Sequence, residues 1–258
     1  HLYFHIIIFF QYIFIKFVNM KYQILQDESE LQSFIDIVLP NMDSPESQQF
    51  YVSLLGRNKW NPIEGWKGDQ AQLKRFTSSK DRLIGKVKQL ECEQGSYTNG
   101  DIQISEKNLG LYIMPNPRSM RKAQLNLLKE IANNAANDTF NSNPQAMALT
   151  EIQKSPYKKI YFDIDIDIDR KILTIPLREE MHNQIVEVVG IDCYSIFTNG
   201  GLHTLVEVDK LSESIKKTWY RKIQSLSTDS IKMEMNGDNL VPLPGTIQGG
   251  WVPFLFKK

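Results

Sequence analysis

Cysteine and histidine are scarce in this chain: two cysteines, Cys92 and Cys193, and four histidines, His1, His5, His182 and His203. There is no CxxC pair, so neither a disulfide framework nor a structural zinc site can be assembled, and a reducing compartment is the default. Net charge is lacking too. Thirty Lys and Arg balance thirty Asp and Glu, so attraction to a polyanion must come from local clustering and not from the field of the whole molecule. No internal repeat is visible. What is present, 41% apolar and 10% aromatic residues over 258 positions, excludes a disordered tail or a fibre and suffices for one large core or two small ones.

Residues 1–19 contain no acid and a single lysine, Lys16, within a run of Ile, Phe and Tyr. A signal peptide would want a basic start and a small-residue cleavage site, and neither is here. Leu2 to Val18 approaches the roughly 20 apolar residues of a membrane span, interrupted by His5, Gln11 and Lys16. The favoured reading starts the folded chain at Met20, where composition changes at once, and places the protein in the cytoplasm.

From Met20 the pattern predicts a capped helix over 27–39 closed by Pro40, a strand over 50–57 (FYVSLLGR), and a loop from Arg57 to Gly68. Leu73 to Leu90 carries Lys74, Arg75, Lys80, Arg82, Lys86 and Lys88 against the single acid Asp81, which reads as a basic stripe on a helix. LGLYIMP (109–115) reads as a buried strand leading into a helix that ends near Asn134. The polar stretch 133–145 is the linker candidate. Residues 20–145 are therefore expected to form an N-terminal α/β unit.

Residues 146–258 are expected to form a second unit. KKIYFDIDIDID (158–169) alternates strictly, as a strand does. A helix over 178–189, two strands around Gly200 and Gly201, a basic helix over 211–225 and a strand near 230–235 follow. This order predicts an α+β fold, an RRM-like palm sheet with helices on one face.

Period two puts the carboxylates of Asp163, Asp165, Asp167 and Asp169 on one strand face and Ile164, Ile166 and Ile168 on the other. Stacked like charges repel, and Mg²⁺ or Mn²⁺ is the natural neutraliser, since such ions take carboxylate oxygens and bridge to phosphates. The bland alternative is a solvated edge strand. His203 follows the pair Gly200 and Gly201 on a strand expected beside the acidic one, which favours a phosphate contact over a plain core histidine. Residues 236–250 hold Pro242, Pro244 and four glycines among Leu240, Val241, Leu243 and Ile247, a rigid and packed loop.

In order and spacing, IYFDID (160–165), GLH (201–203) and LVPLPGT (240–246) resemble the archaeo-eukaryotic primase superfamily, in its primase-polymerase-like branch of phages, plasmids and bacterial mobile elements. SLLGRNKW, LYIMPNPRSMRKA and EIQKSPYKKIYFDID are also similar to that branch, so the resemblance spans about 50–250. It implies an archaeo-eukaryotic primase-like fold and a template-dependent nucleotidyltransferase working through two Mg²⁺ or Mn²⁺ ions. Asp163 and Asp165 match its metal-binding pair, and His203 the histidine that contacts the incoming nucleotide. For the third acid, Asp229 is the expectation, with Glu234 and Asp238 as rivals. Gly201 stands where many members have Ser. Asp167 and Asp169 extend beyond the pattern, as auxiliaries or as a register shifted by two.

The implied partners are nucleoside triphosphates, a single-stranded DNA template, and a helicase or other replication protein in trans. Arg118, with Arg121, is a candidate for triphosphate or template contacts. Arg57, Lys59, Lys74, Lys80, Lys86 and Lys88 are candidates for the nucleic acid, against the alternative of a solvated helix face. Two rival functions remain open, a metal-dependent nuclease and an inactive single-strand-binding replication factor.

Overall fold

The computed structural model describes residues 20–41, 48–139 and 143–256; the readings of residues 1–19 fall outside them. Among the described residues, no helix is long and apolar enough to cross a membrane. Helix α1 (Glu28–Ile37) starts where the Asp27 carboxylate accepts the Glu30 backbone N–H at 3.0 Å, and it buries Leu31, Phe34 and Ile35. Strand β1 (Gln48–Arg57) pairs with β2 (Gln70–Ser78), which leads through a 3₁₀ turn into the short helix α2 (Leu83–Lys88). Next come the small hairpin β3 (Thr98–Asn99) and β4 (Ile102–Gln103), then β5 (Leu109–Ile113) and β6 (Arg118–Ser119). Helices α3 (Met120–Ala136) and α4 (Pro144–Gln153) follow.

The second half runs β7 (Tyr161–Ile168), α5 (Ile175–Val189), β8 (Tyr194–Phe197), β9 (Gly201–Glu207), α6 (Glu213–Lys216), α7 (Trp219–Gln224), β10 (Ile231–Gly237), β11 (Val241–Pro242) and β12 (Phe254–Phe256). Every named strand pairing is antiparallel. One sheet has the order β11-β5-β1-β2, with β6 also on β1, and the other the order β10-β7-β9-β8-β12. The protein is α+β, as expected.

Three expectations are corrected. Lys74 and Arg75 lie on β2 and not on a helix, because QAQLKRFTS alternates exposed with half-buried positions along a strand paired to β1. Only 83–88 of that basic segment is α-helical. The basic helix expected over 211–225 is two short helices, broken at Lys217 and Thr218. Asp169 lies past the end of β7, where it accepts the Lys171 backbone N–H at 2.9 Å, so the strand carries three aligned carboxylates and not four.

The boundary expected at 145/146 does not separate the cores. Val241 and Pro242 pair with β5 of the first sheet, and Tyr161, Ile196, Leu205 and Leu255 join the core beneath it. The linker stretch is shorter than expected, since α3 runs to Ala136 and α4 begins at Pro144.

The second sheet explains how a site is exposed. Its one face buries Ile164, Ile166 and Ile168 against α5 and α7 through Met181, Ile185, Trp219 and Ile223, each such side chain contributing about 1.5–3 kcal/mol. Its other face is divided. Tyr161, Leu205, Ile196 and Leu255 pack into the first core, whereas Asp165, Asp167 and His203 line a cleft of about 500 Å³ that the first sheet overhangs.

Candidate active site

Strand register builds the floor of the cleft. Asp165 of β7 lies directly opposite His203 of β9 on one side and Glu234 of β10 on the other. Directly opposed residues in antiparallel strands share a face, with Cβ atoms about 5 Å apart. Glu234, Asp165 and His203 thus form one row across three strands. In the next row Asp167 is flanked by Gly201 and Lys232.

His203 is held between acids. Its Nδ1 is 3.1 and 3.2 Å from the two carboxylate oxygens of Asp163, and since an ionised carboxylate only accepts, Nδ1–H donates. Its Nε2 is 3.4 Å from Asp165 Oδ1. Burial works against the imidazolium, but Asp163 and Asp165 overcome it and push the His203 pKa up to about 9. For Asp165, burial is the largest influence and raises its pKa to about 6; His203 opposes that rise, while Asp163, Asp167 and Glu234 add to it. Exposure falls along the strand, from an exposed Asp167, through an Asp165 side chain at 27%, to Asp163 at 1%.

The opposite wall comes from the first sheet. Arg57, at the end of β1, donates to Gln70 Oε1 at 3.1 Å and to Asp69 at 3.4 Å, and its Nε is buried with no hydrogen-bond partner. Lys59 and Trp60 stand at the rim, and Gln70, Gln72 and Tyr112 line the wall. Arg57 and Lys59 were expected at the site and are there. Gln70, Gln72 and Tyr112 were missed, although the Gln-x-Gln alternation of β2 is a strand signal that places both glutamines on one face.

Other expected residues lie elsewhere. Arg118 is completely buried and cannot reach a nucleotide: it donates to Asp238 Oδ2 at 2.7 Å, the Gln153 carbonyl at 2.7 Å and the Asn116 carbonyl at 3.1 Å. That also removes Asp238 as the third acid. Asp229 falls beyond the far end of β7, because Ile231 already pairs with Ile168. At about 3.3 Å per residue the strand carries that level roughly 20 Å from Asp163, where Asp229 lines an adjoining hollow with Asp167, Asp169 and Lys232. Of the three acids considered, Glu234 stands in the row.

Most cations of the expected basic stripe are bonded within the protein. Lys80 donates to the Leu39 carbonyl at 2.9 Å and to Asn41, Lys86 to the Thr77 carbonyl, and Lys88 pairs with Glu28 at 2.7 Å. Lys74 pairs with Leu54, on the sheet face away from the cleft. Gly201 is also structural. Its N–H is taken by Thr198 Oγ1 at 3.1 Å, and a Cβ there would overlap the Ile166 carbonyl oxygen, so serine does not fit. Buried Arg178, unforeseen in the sequence, holds this turn through the carbonyls of Gly201 and Thr198 at 3.1 and 2.7 Å. The Pro-Gly-Thr segment is a clamp as well: the Gly245 carbonyl accepts the N–H groups of Gln26 and Asp27, both at 2.9 Å.

Among the described residues, no three His, Cys, Asp or Glu side chains converge as a preformed cage for an ion. Mg²⁺ does not need one, since it keeps several waters and takes one or two carboxylates together with substrate phosphates. Asp165 and Asp167 on the cleft floor, with Glu234 beside them, fit that requirement in donor type and placement. Comparison with protein families, with curated proteins and with solved structures found no match to this chain.

Proposed function

We propose that this chain is a template-dependent nucleotidyltransferase, the catalytic domain of a DNA primase or primase-polymerase of archaeo-eukaryotic primase type. The second sheet is then its RRM-like palm. The observation that carries the reading is the row Glu234, Asp165 and His203, of which Asp165 and His203, with Asp167, line a cleft whose wall offers Arg57 and Lys59.

Bound Mg²⁺ or Mn²⁺ supplies charge that stabilises both the attacking and the leaving oxygen of an in-line displacement. The chain's own part is position and electrostatics. Asp165 and Asp167 would hold the ion, with Glu234 beside Asp165 in the next strand. His203, cationic at neutral pH, donates from Nε2 to a phosphate oxygen of the incoming nucleotide. The cationic side chains of Arg57 and Lys59 line the same cleft and suit the triphosphate or the template backbone. Gln70 and Gln72 offer neutral donors and acceptors to sugar or base edges. Replication of a phage or mobile element in the cytoplasm, with a helicase acting in trans, is the setting that follows.

The test is incubation of the full chain with labelled single-stranded template, Mg²⁺ or Mn²⁺, and ribo- or deoxynucleoside triphosphates. Nucleotide incorporation is expected. Metal-dependent shortening of the strand in the absence of nucleotides would favour the nuclease instead, and strand binding with neither reaction would favour an inactive binding factor.

A further inference from the structure

Three acids alternate along β7, yet their surroundings differ. Asp163 is 1% exposed, and both of its carboxylate oxygens lie within 3.2 Å of one nitrogen, His203 Nδ1. It is flanked across the sheet by Leu205 and Gly237, at the end where the strand face turns into the first core. An ion reaching it would have to displace the imidazole and enter a region already sealed by apolar packing. Asp165 and Asp167 line the cleft and Asp163 does not.

We infer that Asp163 is a positioning residue, which orients His203 and does not ligate the ion, so that the ion-facing carboxylates begin at Asp165. The inference rests on the nucleotidyltransferase reading and departs from the pairing of Asp163 with Asp165 that the sequence implies. A buried carboxylate accepting Nδ1–H fixes the tautomer and the plane of the ring, leaving Nε2 aimed at the cleft. Without it the ring is free to rotate, and Nε2 no longer points at the phosphate. The burial gradient itself follows from packing: the Tyr161 and Leu205 end of the face is covered and the Asp167 end is open.

The experiment compares full-length wild type with Asp163→Asn, Asp165→Asn, His203→Gln and the double variant Asp163→Asn/His203→Gln. Mn²⁺ binding without nucleotide is read by electron paramagnetic resonance, and binding of a non-hydrolysable nucleoside triphosphate by calorimetry. Asp163→Asn should keep Mn²⁺ affinity within about twofold while reducing nucleotide affinity by about tenfold, the scale of removing an orienting partner. His203→Gln should reduce it as much, and the double variant no more than either, because the two act as one unit. Asp165→Asn should reduce Mn²⁺ affinity by about tenfold or more. The double variant sets two neutral amides side by side and guards against a single variant that fails to fold. Loss of Mn²⁺ by Asp163→Asn to the extent of Asp165→Asn, or multiplying losses of nucleotide affinity, would overturn the inference. A wild type that binds neither Mn²⁺ nor nucleotide would overturn the nucleotidyltransferase reading itself, and the positioning role with it.

Discussion

His203 is cationic at neutral pH because two carboxylates flank it, and Asp165 resists ionising because of its burial first and then the three acids around it. Both shifts are upward, and perturbed groups side by side in a cleft make a functional-site candidate. If Asp165 and Glu234 share an ion, Asp165→Ala should lower nucleotide incorporation by about 10²-fold or more, the scale of removing a transition-state charge stabiliser. Glu234→Ala should follow in the same direction, and Asp229→Ala should leave the rate unchanged. Steady-state incorporation by the three variants checks this, and a loss in Asp229→Ala equal to that in Asp165→Ala would restore the acid expected from sequence. Gly201 makes a purely steric prediction. Gly201→Ala should cost about 1–3 kcal/mol as β9 moves away from the Ile166 carbonyl, seen as a lower denaturant midpoint with an unchanged slope.

Strand β2 and the segment after it show how a run of basic residues is dispersed. Alternation sends Gln70 and Gln72 to the cleft, a register shift between Leu54 and Leu55 turns Lys74 to the other face, and Lys80 and Lys86 satisfy backbone carbonyls at the edges of α1 and β2. A cation whose ammonium is already engaged by the protein has less to offer a phosphate. Replacing Lys80, Lys86 and Lys88 together with Gln should therefore leave the salt dependence of single-strand binding unchanged. Replacing Arg57 and Lys59 should reduce the log–log slope by about 0.7 for each phosphate that is no longer neutralised. Fluorescence anisotropy at several salt concentrations reads both. A slope that falls in the triple lysine variant would return those residues to the interface.

The two sheets share a core, since Tyr161, Ile196, Leu205 and Leu255 lie under the first sheet and β11 closes its edge. Arg118 and Asp238 add a tie between chain segments 120 positions apart, buried at the guanidinium end. Unfolding should therefore be one transition. Calorimetric and van't Hoff enthalpies are expected to agree, and a fragment ending at residue 145 should fail to fold because it lacks β11 and those four apolar side chains. Two separated transitions, or a folded 20–145 fragment, would show that the halves are independent after all.

How much of this was legible beforehand differs by kind of feature. The sequence alone determined the acidic strand, the hairpin at Gly200 and Gly201, the capped α1 and the α+β class, because period-two alternation, glycine pairs and an Asp cap are local rules that tertiary contacts here reinforce. It also placed Asp165 and His203 on adjacent strands, since a short hairpin and a helix-sized crossover leave few other pairings. Tertiary structure decided which acids see water, which of three distant acids stands in the row, and which cations are already bonded within the protein. Those are matters of register and of what packs on top. Asp163 and Asp167 are equivalent in the pattern and differ only because the first core covers one end of the strand face, and Arg118 reads as a free cation until Asp238 arrives from 120 positions away. Local periodicity has no access to either fact.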